Sequence, residues 1–121
     1  MEWKKASAET VETFGRIVPD APGVEKRKMF GYPCSFLNGN MFLGVHGDNI
    51  IIRLSAADAA EFRETPGAHT FEPAPGRAMK EYSVVPPALL ASASELEAWI
   101  QRSLDYVGAL PPKEKKAGKR S

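Results

Sequence analysis

The sequence contains one cysteine, Cys34, and two histidines, His46 and His69. A lone thiol cannot close an internal disulfide, which points to a reducing compartment. One cysteine and two scattered histidines also supply none of the close-spaced ligand pairs that zinc sites use, so no metal centre is expected. Apolar runs long enough to cross a bilayer are missing, and the opening MEWKKASAET has neither the apolar core nor the small-residue cleavage site of a secretory signal. A cytoplasmic protein without a membrane partner is the expectation. No glycine pattern matches a P-loop or a dinucleotide fingerprint. Gly31, Gly39, Gly44 and Gly47 fall within and between short strand-like segments, not at a strand-to-helix turn, so no nucleotide or other cofactor is expected.

An excess of one charge is absent too, since 16 basic against 15 acidic residues leave a formal charge of +1. The distribution is uneven. Five cations and one anion (Lys113, Lys115, Lys116, Lys119 and Arg120 against Glu114) give the last nine residues +4, which leaves −3 for everything before them. A mildly acidic body is a poor footprint for nucleic acid, so binding of that kind would lean on the tail or on a local patch.

What the 121 residues do contain is ordinary for one globular domain, with 43% hydrophobic and 26% charged side chains. The chain is organised around residues 28–54, KMFGYPCSFLNGNMFLGVHGDNIIIRL. Asn38-Gly39 is a strong hairpin signal, because both residues tolerate the positive φ that a tight two-residue turn demands. Gly47-Asp48-Asn49 marks a second turn. Between them, alternation puts Met41, Leu43 and Val45 on one face and Phe42, Gly44 and His46 on the other; after the second turn Ile50, Ile52 and Leu54 oppose Ile51 and Arg53. Apolar residues on both faces predict helices over at least part of each.

Helices are predicted on either side of these strands. Ser7 caps a first helix running to Val18, with Val11, Phe14, Gly15 and Val18 on one stripe and Pro19 as its stop. Val24 to Met29 reads as a polar strand near an edge. Ser55 caps a short helix anchored by Phe62. Ala68 to Arg77 is loop-like, and Met79 to Val85 returns as the last strand until Pro86-Pro87 bars it. A long final helix starts from Ser92 or Ser94, each with a glutamate three residues on. It places Leu96, Trp99, Ile100, Leu104 and Val107 on one stripe and ends near Gly108. The expected architecture is α+β: an antiparallel meander with an N-terminal helix, a short inserted helix and a long C-terminal helix packed on the sheet. Residues 1–110 form the domain, and the charged residues 111–121 a disordered basic tail.

Met29-Phe30-Gly31 opening the meander, then Gly39-Asn40-Met41-Phe42, Pro75-Gly76-Arg77, Met79-Lys80-Glu81-Tyr82 and Pro86-Pro87, form an ordered series. This series, spanning roughly Val11 to Val107, resembles the N-terminal domain of the TfoX (Sxy) competence-regulator family. The resemblance implies a small regulatory domain working through protein contacts, with a transcription factor as the kind of partner, and it implies no catalytic residues. Family members carry a further helical domain where a short basic tail follows Gly108 here. The fold and the interaction character therefore carry over in place of the competence pathway.

The residues leave other readings open. Lys26, Arg27 and Lys28, with Arg77 and Lys80, would form one positive face if the first and last strands lie close, able to contact phosphates or a partner. A solvated strand face is the plainer alternative, since Glu25 and Glu81 interleave the charges. Cys34 with His46 or His69 is the conceivable nucleophile-base combination. Its apolar strand context instead reads as a small buried side chain, so no enzyme is expected. The carboxylate pairs Glu61/Glu64 and Glu95/Glu97 read as structural. An exposed edge strand allows a homodimer, and Trp3 is free of any amphipathic pattern and available to pack.

Overall fold

The computed structural model describes residues 7–19, 21–29, 32–72 and 76–111. Helix α1 (Ala8–Ile17) is capped by Ser7, whose hydroxyl accepts from the Thr10 amide at 3.1 Å. Strands β1 (Val24–Met29), β2 (Tyr32–Leu37), β3 (Asn40–His46) and β4 (Asn49–Arg53) follow as a meander, then α2 (Ala56–Phe62), β5 (His69–Phe71), β6 (Met79–Val84), α3 (Pro87–Leu90) and α4 (Ala93–Gly108). All neighbouring strands are antiparallel, in the order β1-β2-β3-β4-β6-β5. The expected α+β architecture is the observed one.

Both predicted turns form where the residue chemistry asks for them. Asn38 and Gly39 take φ of 54° and 82°, the double left-handed step that matches the twist of a two-residue hairpin, and Gly47 takes 61° at the second turn. The polar strand β1 is an edge, as its charge pattern predicts.

Between the turns the alternation breaks. Ser35 pairs Leu43 but Phe36 pairs Met41, so Phe42 is an extra residue in β3. This bulge changes the expected faces. Phe42, fully buried, joins Leu43, Val45, Ile50, Ile52 and Leu54 in the main core. Met41 instead turns to the side of Gly44, where its sulfur would meet an added Cβ at 3.2 Å.

Helices on both faces were the second expectation, and the structure corrects it. Phe14 and Val18 of the α1 segment, Ala59 and Phe62 of α2, Leu89 of α3 and Leu96, Ile100 and Val107 of α4 all belong to the one core cluster. Cys34, Ile51 and Val84 are buried on the opposite face and stand outside it. Half-buried Phe36, Met41, His46, Phe71 and Tyr82 surround them. On that side His46 sits 5.5 Å from the ring of Tyr32, itself a member of the core cluster, and 5.2 Å from the Phe71 ring, centre to centre.

Four smaller readings also change. Val11 (42% exposed) and Gly15 lie on the solvent side of α1, so of the predicted stripe Phe14 and Val18 reach the core, with half-buried Ile17 packed beside them. Part of the loop read at Ala68 to Arg77 is β5, which pairs with β6 and removes β6 from the edge. Pro86-Pro87 ends the strand yet starts α3, because proline lacks only an amide that the first helical turn leaves unpaired anyway. Coming out of α3, Ser92 enters α4 with φ −112° and ψ 85°, away from the extended cap conformation, and its hydroxyl makes no capping bond. Of the tail all but Pro111, together with Trp3, Phe30-Gly31 and Pro75, lies outside the described residues; the Pro111 carbonyl accepts from Asn40 Nδ2 at 3.2 Å.

Candidate interaction surface

Strand β1 is VEKRKM, and its register against β2 sorts the charges. Arg27 faces Cys34 across the ladder and Glu25 faces Phe36, so these two share one side of the sheet. The Arg27 guanidinium is bound by Glu25 and lies 5.1 Å over the Phe36 ring. Lys26, opposite Ser35, and Lys28, opposite Pro33, project from the other side, where both are exposed and neither is paired with a carboxylate among the described residues. Beyond β1 the sheet has no further described strand.

Lys80 is exposed near the start of β6, four strand positions from β1, and Arg77 is exposed two residues before that strand. At the usual strand spacing that separation is about 19 Å. The single positive face that joined them in the sequence is therefore split in two by β2, β3 and β4. The Lys80 carbonyl also has a structural task, accepting from Arg63 Nη1 at 3.2 Å.

Cys34 is 4% exposed, and its thiol points to the Tyr32 carbonyl at 3.7 Å. Burial pushes the thiol pKa up, which outweighs a backbone hydrogen bond from Val45 that lowers it. A nucleophile needs the reverse shift. His46 is held between the Tyr32 and Phe71 rings, while His69 is exposed on β5 with Nδ1 3.2 Å from the Gly67 carbonyl. Among the described residues no group of three His, Cys, Asp or Glu side chains stands ready for a metal.

The most connected polar cluster was not foreseen. Arg53, at the end of β4, donates through Nε and Nη2 to Glu81 Oε1 of β6, each at 2.9 Å. Glu81 Oε2 accepts the Tyr106 hydroxyl of α4 at 2.7 Å. The Arg53 guanidinium lies 5.4 Å from the Tyr82 ring centre and 5.9 Å from that of Tyr106. The bond to Glu81, with burial after it, holds the Tyr106 pKa above its ordinary value; burial, opposed by Arg53, does so for Tyr82. Close by, Ser103 is buried and its hydroxyl lies within hydrogen-bond reach of the Arg53 and Phe42 carbonyls. The cluster fastens α4 across two strands. It accounts for Glu81 and Tyr82 in the Met79-Lys80-Glu81-Tyr82 motif, and Ser103 could have been found at the helical spacing between Ile100 and Val107.

The carboxylates read as structural include Glu61, which pairs with Arg102 at 3.1 Å; Asp58 joins it at 3.4 Å. Arg102 itself lies 4.5 Å over the Trp99 ring, and Trp99 meets Phe62 edge-on. A groove of about 540 Å³ opens between the end of α1 and α4, with Ile17, Ile100 and Leu104 at its apolar parts and Arg16 and Glu97 among its charged ones.

These elements agree with one known domain. The TfoX N-terminal domain family matches residues 16–107. The chain belongs to that family. The match starts near the end of α1 and ends one residue before the last of α4, so it takes in the whole sheet and the helix fastened by Glu81. No curated protein matches the chain. In this TfoX-type domain β1 is an edge strand whose exposed Lys26 and Lys28 have no carboxylate partner among the described residues.

Proposed function

We propose that this TfoX-type domain is a small non-enzymatic regulatory module of the cytoplasm that acts through protein contacts, with a protein of the transcription machinery as its kind of partner. The observation that supports this reading is the division of labour among the polar side chains. Arg53, Glu81, Tyr106, Ser103 and Arg63 are engaged in fastening helices to the sheet, and Arg102 in fastening α4 to α2. Lys26 and Lys28 stand instead on an edge strand, without carboxylate partners among the described residues. An edge strand offers backbone hydrogen bonds and a row of side chains, which are means of recognising another chain.

The test is affinity capture from host extract with the full chain, with and without nuclease. A protein retained after nuclease supports the reading. Recovery of nucleic acid alone, lost on removal of residues 111–121 and falling steeply with salt, would replace it with a nucleic-acid-binding role for the basic tail.

A further inference from the structure

Strand β1 ends the described sheet, so alternate backbone N–H and C=O groups along its six residues point outward. Lys26 and Lys28 flank this edge from the same side of the sheet, spaced two residues apart, or about 7 Å. Arg27 is already bound to Glu25 and stacked on Phe36. The unspent charge of the edge is thus a pair of lysines at strand period. A strand laid along β1 would set its own alternate side chains directly beside them, because cross-strand neighbours stand about 5 Å apart.

That geometry discriminates between occupants. A second copy of β1 fits less well: the antiparallel register that sets Lys26 against Lys28 also sets Arg27 against itself, and in-register parallel pairing sets every charge against itself. In the registers that set Lys26 against Lys26 or Arg27, the like charges are offset only by Glu25, which Arg27 of its own strand already binds. Like charges directly opposite destabilise a strand pair. A nucleic-acid strand would be drawn to the lysines but could not use the backbone edge, and the second basic set at Arg77 and Lys80 is about 19 Å away by strand spacing. An extended peptide with carboxylates at alternate positions satisfies both the edge and the charges.

We propose that β1 is a docking edge for an extended acidic segment of a partner protein, which pairs with the strand and sets its carboxylates against Lys26 and Lys28. The proposal rests on the interaction-module reading and specifies the partner's chemistry. The edge lysines act as a selector: they favour an acidic strand over a second copy of β1, whose own lysines add like charge.

The test uses the full chain and a fluorescein-labelled peptide alternating glutamate with threonine and valine. Its controls are a counterpart carrying lysine for glutamate and an oligothymidylate of equal charge. The acidic peptide should bind, with amide shifts and slowed hydrogen exchange confined to β1 and its neighbour β2, and the lysine peptide should not. The double variant Lys26→Glu/Lys28→Glu should weaken the acidic peptide about tenfold and gain the lysine peptide, as expected when two cross-strand charge pairs are reversed. Both positions are exposed, so circular dichroism and thermal midpoint should stay unchanged. Shifts that map elsewhere, indifference to the charge reversal, or tighter binding of oligothymidylate at β1 would overturn the proposal. The reading beneath it fails separately. If wild type and double variant capture the same proteins from extract, the edge assignment falls while the interaction module stands; if neither captures any protein, the module reading falls.

Discussion

Cys34 is the residue whose chemistry the fold most clearly suppresses. With 4% of its surface exposed and its pKa raised by burial, the thiol is both inaccessible and protonated at neutral pH. It should react with Ellman's reagent at pH 8 at least about tenfold more slowly in the folded protein than in urea. Equal rates in the two states would show that the face carrying Cys34, Ile51 and Val84 opens readily. Phe42 makes the matching point about packing. Phe42→Ala should cost about 3–5 kcal/mol, read as a lower urea midpoint at unchanged slope, because it empties a fully buried site. Strict alternation would have placed Phe42 with Gly44 and predicted a milder loss. The pairing that decides its face joins residues on two strands, and a bulge there leaves no mark in the period-two pattern of β3 alone.

At the scale of elements, what was legible was what local chemistry controls. Asn38-Gly39 and Gly47-Asp48 announced their turns because Asn38, Gly39 and Gly47 are residue types that tolerate the positive φ they take. Ser7 and Ser55 announced helix starts because their hydroxyls reach amides three residues on. Ser92 carries the same signal and does not cap, since its backbone, two residues after α3, is out of the extended cap conformation. The Arg53–Glu81–Tyr106 cluster was illegible for a related reason: its members are 28 and 25 residues apart and meet only once β4, β6 and α4 are placed.

That cluster predicts two outcomes. Tyr106→Phe should lower stability by about 1 kcal/mol, the net worth of one hydrogen bond, and its effect should be non-additive with Glu81→Gln in a double-mutant cycle. The pH dependence has a definite sign. Tyr82 and Tyr106 have raised folded pKa values, so the folded state holds their protons more tightly than the unfolded one. Their contribution is complete below the ordinary tyrosine value of about 10 and is lost as pH rises through the folded values. The thermal midpoint of wild type should therefore fall more steeply above pH 10 than that of Tyr106→Phe. Parallel curves would remove Tyr106 from the account.

For the whole molecule, the sheet has two ends, and they are guarded differently. At one end β5 has only three residues, too short to template much pairing. At the other, β1 has six residues and relies on the charges of Glu25, Lys26, Arg27 and Lys28. Its edge position was readable from this polarity. The separation of β1 from β6 was not, because it depends on α2 carrying the chain from β4 past the place that β6 later fills. If the lysines are what keeps the long edge from pairing with its like, Lys26→Thr/Lys28→Thr should raise self-association, since threonine favours strands and removes the repulsion. In sedimentation equilibrium the variant's average mass should then climb with concentration more steeply than the wild type's, and added salt should narrow the gap by screening the wild-type charges. Identical curves at low salt would mean that something other than Lys26 and Lys28 guards this edge, and would weaken the case that these residues select what docks there.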